Sequence, residues 1–332
     1  MQQRLEYIDM AKAIAIISVV AGHVLLYDLY GGNHIGESSL MKVFGSYHNY
    51  LFMFLSGMVS VTAIEKKDII YDVYKRFRSL IVPALVVGIP YAYCLGVDII
   101  AFFQNVWKWG YWYLFVLFAL YVVSYPFALI PNKYIKYVYI LVVPVWIFVY
   151  RHTYPIPQMI NDTLDIDFIV QFFPYFFAGS IVKRHRLHEK IFSLPVLIVC
   201  VLIILFQSPI EYVTRNYLFL MHHNSFVHFA EIIAIVTLCK FWGGQKLLTS
   251  TRRRLAYIGR NTLYIYLFHY IALNIMSMPS VYNWFAENGN IGVDILAVII
   301  PTTIAIAFSL LLKDILEKSP LIMKAVFYKS KK

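Results

Sequence analysis

The sequence predicts an all-α polytopic membrane protein of about ten transmembrane helices, with both termini cytoplasmic. Of its 332 residues, 60% are hydrophobic and only 14% charged, where soluble domains run near ~45–50% and ~25%. A soluble globule of this size has no interior for so much apolar surface, which excludes a cytosolic enzyme, a disordered chain and a nucleic-acid module. Stretches of ~20 largely apolar residues, the length that crosses a bilayer, recur from end to end. The basic residues also segregate by side once those stretches alternate across a membrane.

In chain order the spans fall at roughly 8–29, 43–64, 79–96, 111–130, 134–150, 168–182, 191–207, 226–242, 258–276 and 291–312. The first carries Asp9 and Lys12 and lacks a small-residue cleavage site after its apolar run, so it is a retained span and not a signal peptide. The second is entered from outside past His48 and Asn49, and the third follows the basic run Lys75, Arg76 and Arg78. The fourth is entered past Trp107 and Trp109 and opens on Tyr111, Trp112 and Tyr113, which together read as an interface belt. Lys133 and Lys136 stand at the start of the fifth, and Lys183, Arg184 and Arg186 follow the sixth. The third, seventh and eighth hold Cys94, Cys200 and Cys239; with no C-x-x-C among them, disulfide frameworks and zinc ribbons are excluded. The ninth follows Arg252, Arg253 and Arg254, and the tenth leads to a lysine-rich end. No loop between spans is longer than about 18 residues, so residues 1–332 read as a single integral-membrane domain with no appended soluble one. With the N-terminus inside, 24 basic residues lie on the cytosolic side and four, Lys42, Lys108, Arg151 and Arg215, lie outside. The formal charge of +11 is thereby mainly an orientation device, and the one basic residue left out of both columns is Lys12, inside the first span.

Ionisable side chains within a span are costly, and by default they mark a cavity or a partner. At about 100° per residue, Lys12 and His23 fall within about 20° of one line, Asp9 lies about 40° from His23, and Tyr27 is aligned with them. The rise from Lys12 to His23 is about 16 Å, which places Lys12 near the cytosolic interface and His23 in the outer half. On the same axis His48, Asn49, His228, Glu231 and His269 come to the depth of His23, so the site is expected toward the outer face. Each of these has a plainer reading as a hydrogen-bonded interfacial group, and Lys12 has one as a snorkelling lysine. His222, His223 and the pair His185 and His188 lie in loops, and no metal site is expected.

The residues resemble a known family. The run Arg4-x4-Asp9-x2-Lys12-Ala13-Ile14-Ala15-Ile16-x2-Val19-x3-His23 is similar to the opening signature of the membrane acyltransferase-3 family, in which a basic residue and a histidine are ten positions apart. That family usually has Arg at the place of Lys12. Phe52-Met53-Phe54-Leu55-Ser56-Gly57-Met58 resembles its F-x-F-L-S-G-F segment, and Lys75-Arg76-Phe77-Arg78-x-Leu80-x2-Pro83 its basic cytosolic motif. Trp112-Tyr113-Leu114 is similar to its W-F-L segment, and Leu263-Tyr264-Ile265-Tyr266-Leu267-Phe268-His269 to its L-x-I-Y-L-x-H segment. The resemblance implies a ten-helix O-acyltransferase that takes an acyl group, commonly acetyl, from cytosolic acyl-CoA to a sugar hydroxyl at or beyond the outer face. It also implies direct transfer, since no esterase-like domain is appended.

Both lines give the same expected roles. His23 is the general base or, alternatively, a transient acyl carrier. Glu231 and His269 join it as catalytic groups, and Asp9, Lys12, Arg76 and Arg78 receive the donor. His48, Asn49, Trp112 and Tyr264 receive the acceptor, while Ser56-Gly57 allows close helix approach. Acetyl-CoA is a co-substrate, with no permanently bound cofactor. The expected partners are the acyl-CoA donor, a carbohydrate or glycolipid acceptor and the lipid bilayer of the plasma (inner) membrane, with no nucleic acid; a homo-oligomer is compatible with this. A transporter or flippase for a lipid-linked sugar stays open as an alternative, since a polar stripe also suits a translocation path, and a membrane-embedded scaffold is a third class.

Overall fold

The structure, a computed structural model, describes residues 5–31, 38–64, 69–129, 156–207, 225–245, 248–277 and 279–328, which contain helices and no strand. A helix occupies every predicted span except 134–150, which lies outside the described residues. Helix α1 (Glu6–His23) runs on through a π-helical segment, Val24–Leu29. It is followed by α2 (Ser39–Ile64), α3 (Ile69–Arg76), a second π segment (Phe77–Ile81), α4 (Val82–Cys94), α5 (Ile99–Gln104) and α6 (Trp112–Leu129). Next come α7 (Gln158–Leu164), α8 (Ile166–Arg184), α9 (His188–Ile191), α10 (Leu194–Leu205) and α11 (Ser225–Gly243). The order closes with α12 (Thr249–Arg260), α13 (Thr262–Met276), α14 (Tyr282–Asn288), α15 (Ile291–Leu316) and α16 (Pro320–Ala325). Among the described residues five helical stretches are long and apolar enough to cross a membrane: Glu6–Leu29, Ile69–Cys94, Ile166–Arg184, Phe226–Gly243 and Ile291–Leu316. Trp112–Tyr125, Leu194–Leu205 and Thr262–Met276 are shorter apolar helices. The chain is a multi-pass membrane protein.

The predicted span 258–276 is not one helix. Asn261 leaves the helical region (φ −109°, ψ 18°), and its side chain donates to the Tyr257 carbonyl at 2.8 Å. The break separates apolar α13 from α12, whose arginines have no business in hydrocarbon.

The described chain forms two compact units interleaved in sequence: Met1–Leu55 with His185–Leu311, and Ser56–Arg184 with Leu312–Lys332. In the first, α1 packs against α11, α12 and α13. Its Ala11, Ala13 and Ala15 are fully enclosed, and such small side chains let neighbouring backbones come close. Gly259 of α12 takes this furthest, since a Cβ there would stand 1.7 Å from the Asp9 carbonyl oxygen. Arg252 fixes α12 in place: Nη1 donates to the Gly243 and Gln245 carbonyls at 2.9 and 2.7 Å, and Nε lies 3.4 Å from Glu6. Elsewhere in this unit the fully buried Asp294 accepts from Tyr30 at 2.6 Å and from Ser38 at 2.7 Å. That carboxylate ties the end of the π segment and the start of α2 to α15.

In the second unit, Gly57 lies where a Cβ would meet the Phe176 carbonyl oxygen at 1.9 Å, so α2 and α8 touch backbone to backbone. Ser56 and Tyr113 hydroxyls share a hydrogen bond of 3.1 Å beside them. The rings expected as an interface belt divide: Trp107 is exposed, whereas Tyr111, Trp112 and Tyr113 are buried. Lys108, counted among the outward loop charges, is 1% exposed. Its ammonium donates to Asp165 Oδ1 at 2.8 Å and to the Asp162 and Asn105 carbonyls at 2.6 and 3.2 Å. Hydropathy could not reveal this, because Asp162 and Asp165 lie more than fifty positions away. Burial pushes the Asp165 carboxyl up to about 6, with Lys108 pulling against it.

Lys108→Met is therefore expected to destabilise the protein by about 3–5 kcal/mol at neutral pH, the usual effect of stranding one member of a buried pair. A carboxyl raised in the folded state binds its proton there first, so the deficit shrinks as pH falls through about 6. Thermal unfolding in detergent at about pH 5 and about pH 8 reads the difference.

Candidate active site

The stripe on α1 survives in three dimensions. The helix is otherwise largely enclosed, yet Lys12 and His23 are half-buried and Tyr27 is exposed. Asp9, on the same face, is buried, and its backbone carbonyl is the oxygen on which Gly259 packs.

His23 and His269 meet. His23 Nδ1 lies 2.9 Å from His269 Nε2, with the two rings stacked 5.1 Å apart at 9°. His269 is fully buried, and its Nδ1 lies 2.9 Å from the Ile265 carbonyl, one turn back on α13. A carbonyl only accepts, so this contact assigns the proton to His269 Nδ1 and leaves Nε2 as an acceptor. His23 must then donate from Nδ1, and its own Nε2 carries the lone pair. Tyr270, beside His269 on α13, places its hydroxyl 3.1 Å from that Nε2, with its ring 4.8 Å from the His23 ring. The arrangement is a directed chain, from the Tyr270 hydroxyl through two imidazoles to a backbone carbonyl. It presents one basic nitrogen at a half-buried position.

His48, buried on α2, bonds through Nδ1 to the Phe44 carbonyl and interacts electrostatically with His23. Ser18 of α1 shares a 2.6 Å hydrogen bond with Tyr47. Asn49 is half-buried and Tyr264 buried. Glu231 belongs to a second cluster: Ser46 donates to its Oε1 at 2.7 Å, and its Oε2 lies 3.6 Å from Nδ1 of His228. The His228 ring stacks on Tyr50 at 4.0 Å. No hydrogen bond joins Glu231 to His23.

The remaining expected site residues lie in the second unit. Arg76 holds its guanidinium 4.2 Å above the Tyr121 ring. Arg78 donates to the Ala325 carbonyl at 2.6 Å, capping the C-terminus of α16. Trp112 stacks on Phe172 and leans on Phe168, with ring centroids 5.5 and 4.5 Å away. All three side chains are engaged in packing within that unit. His222 and His223 lie outside the described residues.

Two residues escaped the sequence reasoning. Tyr270 carries no signal of its own in a tyrosine-rich helix, and its alignment with His23 appears only once α1 and α13 are side by side. Asp28, a turn beyond His23, lies within the predicted span 8–29 but off the stripe's named residues; it is 4% exposed, and neither carboxylate oxygen has a hydrogen-bond partner among the described residues.

A family model described as acyltransferase domain matches residues 5–312. Among curated proteins the chain is similar to nodulation protein NolL of Mesorhizobium japonicum, 37% identical over 78 residues that cover 23% of this chain and 21% of that protein. The match thus spans about a fifth of that relative's length. No solved structure gives a significant match.

Proposed function

We propose, on the premise that this chain belongs to the acyltransferase-3 family of membrane acyltransferases, that it is an O-acetyltransferase. It moves acetyl from cytosolic acetyl-CoA to a hydroxyl of a surface carbohydrate or glycolipid near the outer face of the plasma membrane, with both termini cytoplasmic. Family membership favours acyl transfer over the flippase and scaffold alternatives. The observation that carries the mechanism is the hydrogen-bond chain that leaves His23 Nε2 as a lone pair.

Nε2 is the general base. It takes the proton of the acceptor hydroxyl as that oxygen attacks the thioester carbonyl. The new C–O bond forms, the C–S bond breaks, and the proton passes from Nε2 to the departing CoA thiolate. His269 does not touch substrate; it holds the His23 tautomer and accepts from Nδ1–H throughout. Tyr270 gives up Nε2 to the acceptor hydroxyl and turns its own O–H toward the thioester oxygen. Lys12, about 16 Å below His23 and half-buried, attracts the donor phosphates at the inner end. That distance suits an extended pantetheine arm. Acetyl-CoA enters as co-substrate, with no permanently bound cofactor in the scheme.

Purified protein in liposomes, given acetyl-labelled CoA, is expected to release free CoA and pass the label to added glycan or, more slowly, to water. Movement of a lipid-linked sugar with no CoA released would overturn this function.

A further inference from the structure

Asp28 carries a carboxylate that the acyl-transfer chemistry leaves unused. Beyond His23 the α1 backbone changes from α- to π-helical bonding over Val24–Leu29, and Tyr30 N–H donates to the Leu25 carbonyl, five residues back, at 2.9 Å. With i→i+5 bonding, residue 28 stands one turn outward of residue 23. Such π turns cost helix stability and concentrate at functional sites.

The surroundings sharpen the contrast. In the same unit Asp294 is buried but accepts from two hydroxyls, and Glu231 accepts from Ser46. Asp28, by comparison, has both oxygens enclosed and without a hydrogen-bond partner among the described residues. An ionised carboxylate held this way inside a span costs several kcal/mol in principle, and a fold keeps one when a partner arrives during function. The neighbouring groups mark where that partner would enter. Tyr27 exposes its ring beside His23, with centroids 5.9 Å apart, while its backbone carbonyl is pinned by Tyr282 at 2.6 Å and Ser277 at 3.3 Å. Asp28 directly follows Tyr27 in the chain, so its carboxylate belongs to the residue next to the exposed ring that stands beside His23.

We propose that Asp28 positions the acceptor by taking a hydrogen bond from a second hydroxyl of the molecule whose first hydroxyl His23 deprotonates. The acceptor class that fits is a polyhydroxylated ring, which offers hydroxyls across about one helical turn, ~5 Å; a simple monohydric alcohol has nothing for Asp28 to hold. This rests on the acyl-transfer reading and gives its carbohydrate acceptor a second point of contact.

The test uses membranes of the source cell carrying the unaltered chain, Asp28→Asn or Asp28→Leu, supplied with acetyl-labelled CoA. The readout is the ratio of label esterified to carbohydrate to label released as free acetate. Loss of a hydrogen bond to a charged group is expected to lower that ratio about 10- to 100-fold, more for Asp28→Leu than for Asp28→Asn. An unchanged ratio, or loss of both products together from a protein that still inserts, overturns the proposal. Failure of the acyl-transfer reading shows differently, as no CoA-dependent product from the unaltered chain.

Discussion

His23→Ala is expected to lower kcat for acetyl transfer by about 10²–10⁴-fold, the range that a positioned general base contributes. The protein should insert normally, because His23 is half-buried and removing its ring leaves the enclosed alanine and isoleucine positions of α1 in place. Apparent KM for acetyl-CoA should stay within about twofold, since the donor's phosphates are held at the other end of the stripe and a loss confined to the transition state leaves ground-state binding alone. Steady-state kinetics with labelled acetyl-CoA separate the two parameters. Wild-type turnover by an inserted His23→Ala protein would remove His23 from the chemistry altogether. A rise in KM with kcat intact would assign it to binding.

The second large effect is at His269. His269→Ala leaves the His23 Nδ1–H without its acceptor and lets the ring turn or change tautomer, so that Nε2 no longer points at the acceptor hydroxyl. Groups that orient a reacting imidazole change rate by about 10²- to 10⁴-fold. His269→Gln supplies an amide oxygen that can accept from Nδ1–H, and it should recover a measurable part of the loss. A purely structural role for this fully buried residue predicts no such recovery at equal protein yield. Rates for the three proteins, normalised to folded material by size exclusion in detergent, decide between them.

Much of this was legible in the sequence because helical periodicity is local. Asp9, Lys12, His23 and Tyr27 fall on one face by arithmetic alone, and on the folded α1 the partly accessible members, Lys12, His23 and Tyr27, mark that face. The late segment ending in His269 was found from its resemblance, and depth along the helix axis brought it near His23. What periodicity could not supply was pairing. The His23–His269 bond joins residues 246 positions apart, and the direction of proton donation follows from a carbonyl one turn back on α13. Tyr270 had no signal of its own, and the π segment that carries Asp28 has no recognised residue code. Glu231 shows the limit of depth as a guide: it lies level with His23 by projection, yet it bonds Ser46 and faces His228. Lys108 shows the limit of charge counting, since a loop lysine reads as exposed until Asp165 is found against it.

The account depends most on the protonation pattern of one ring. Nitrogen-15 NMR of histidine-labelled protein, with His23→Gln used to assign the signals, reads which ring nitrogen of His23 carries hydrogen. The predicted spectrum has Nδ1 protonated and Nε2 bare at neutral pH. A His23 with hydrogen on Nε2, as the other tautomer or as imidazolium, would contradict its role as the base that receives the acceptor's proton.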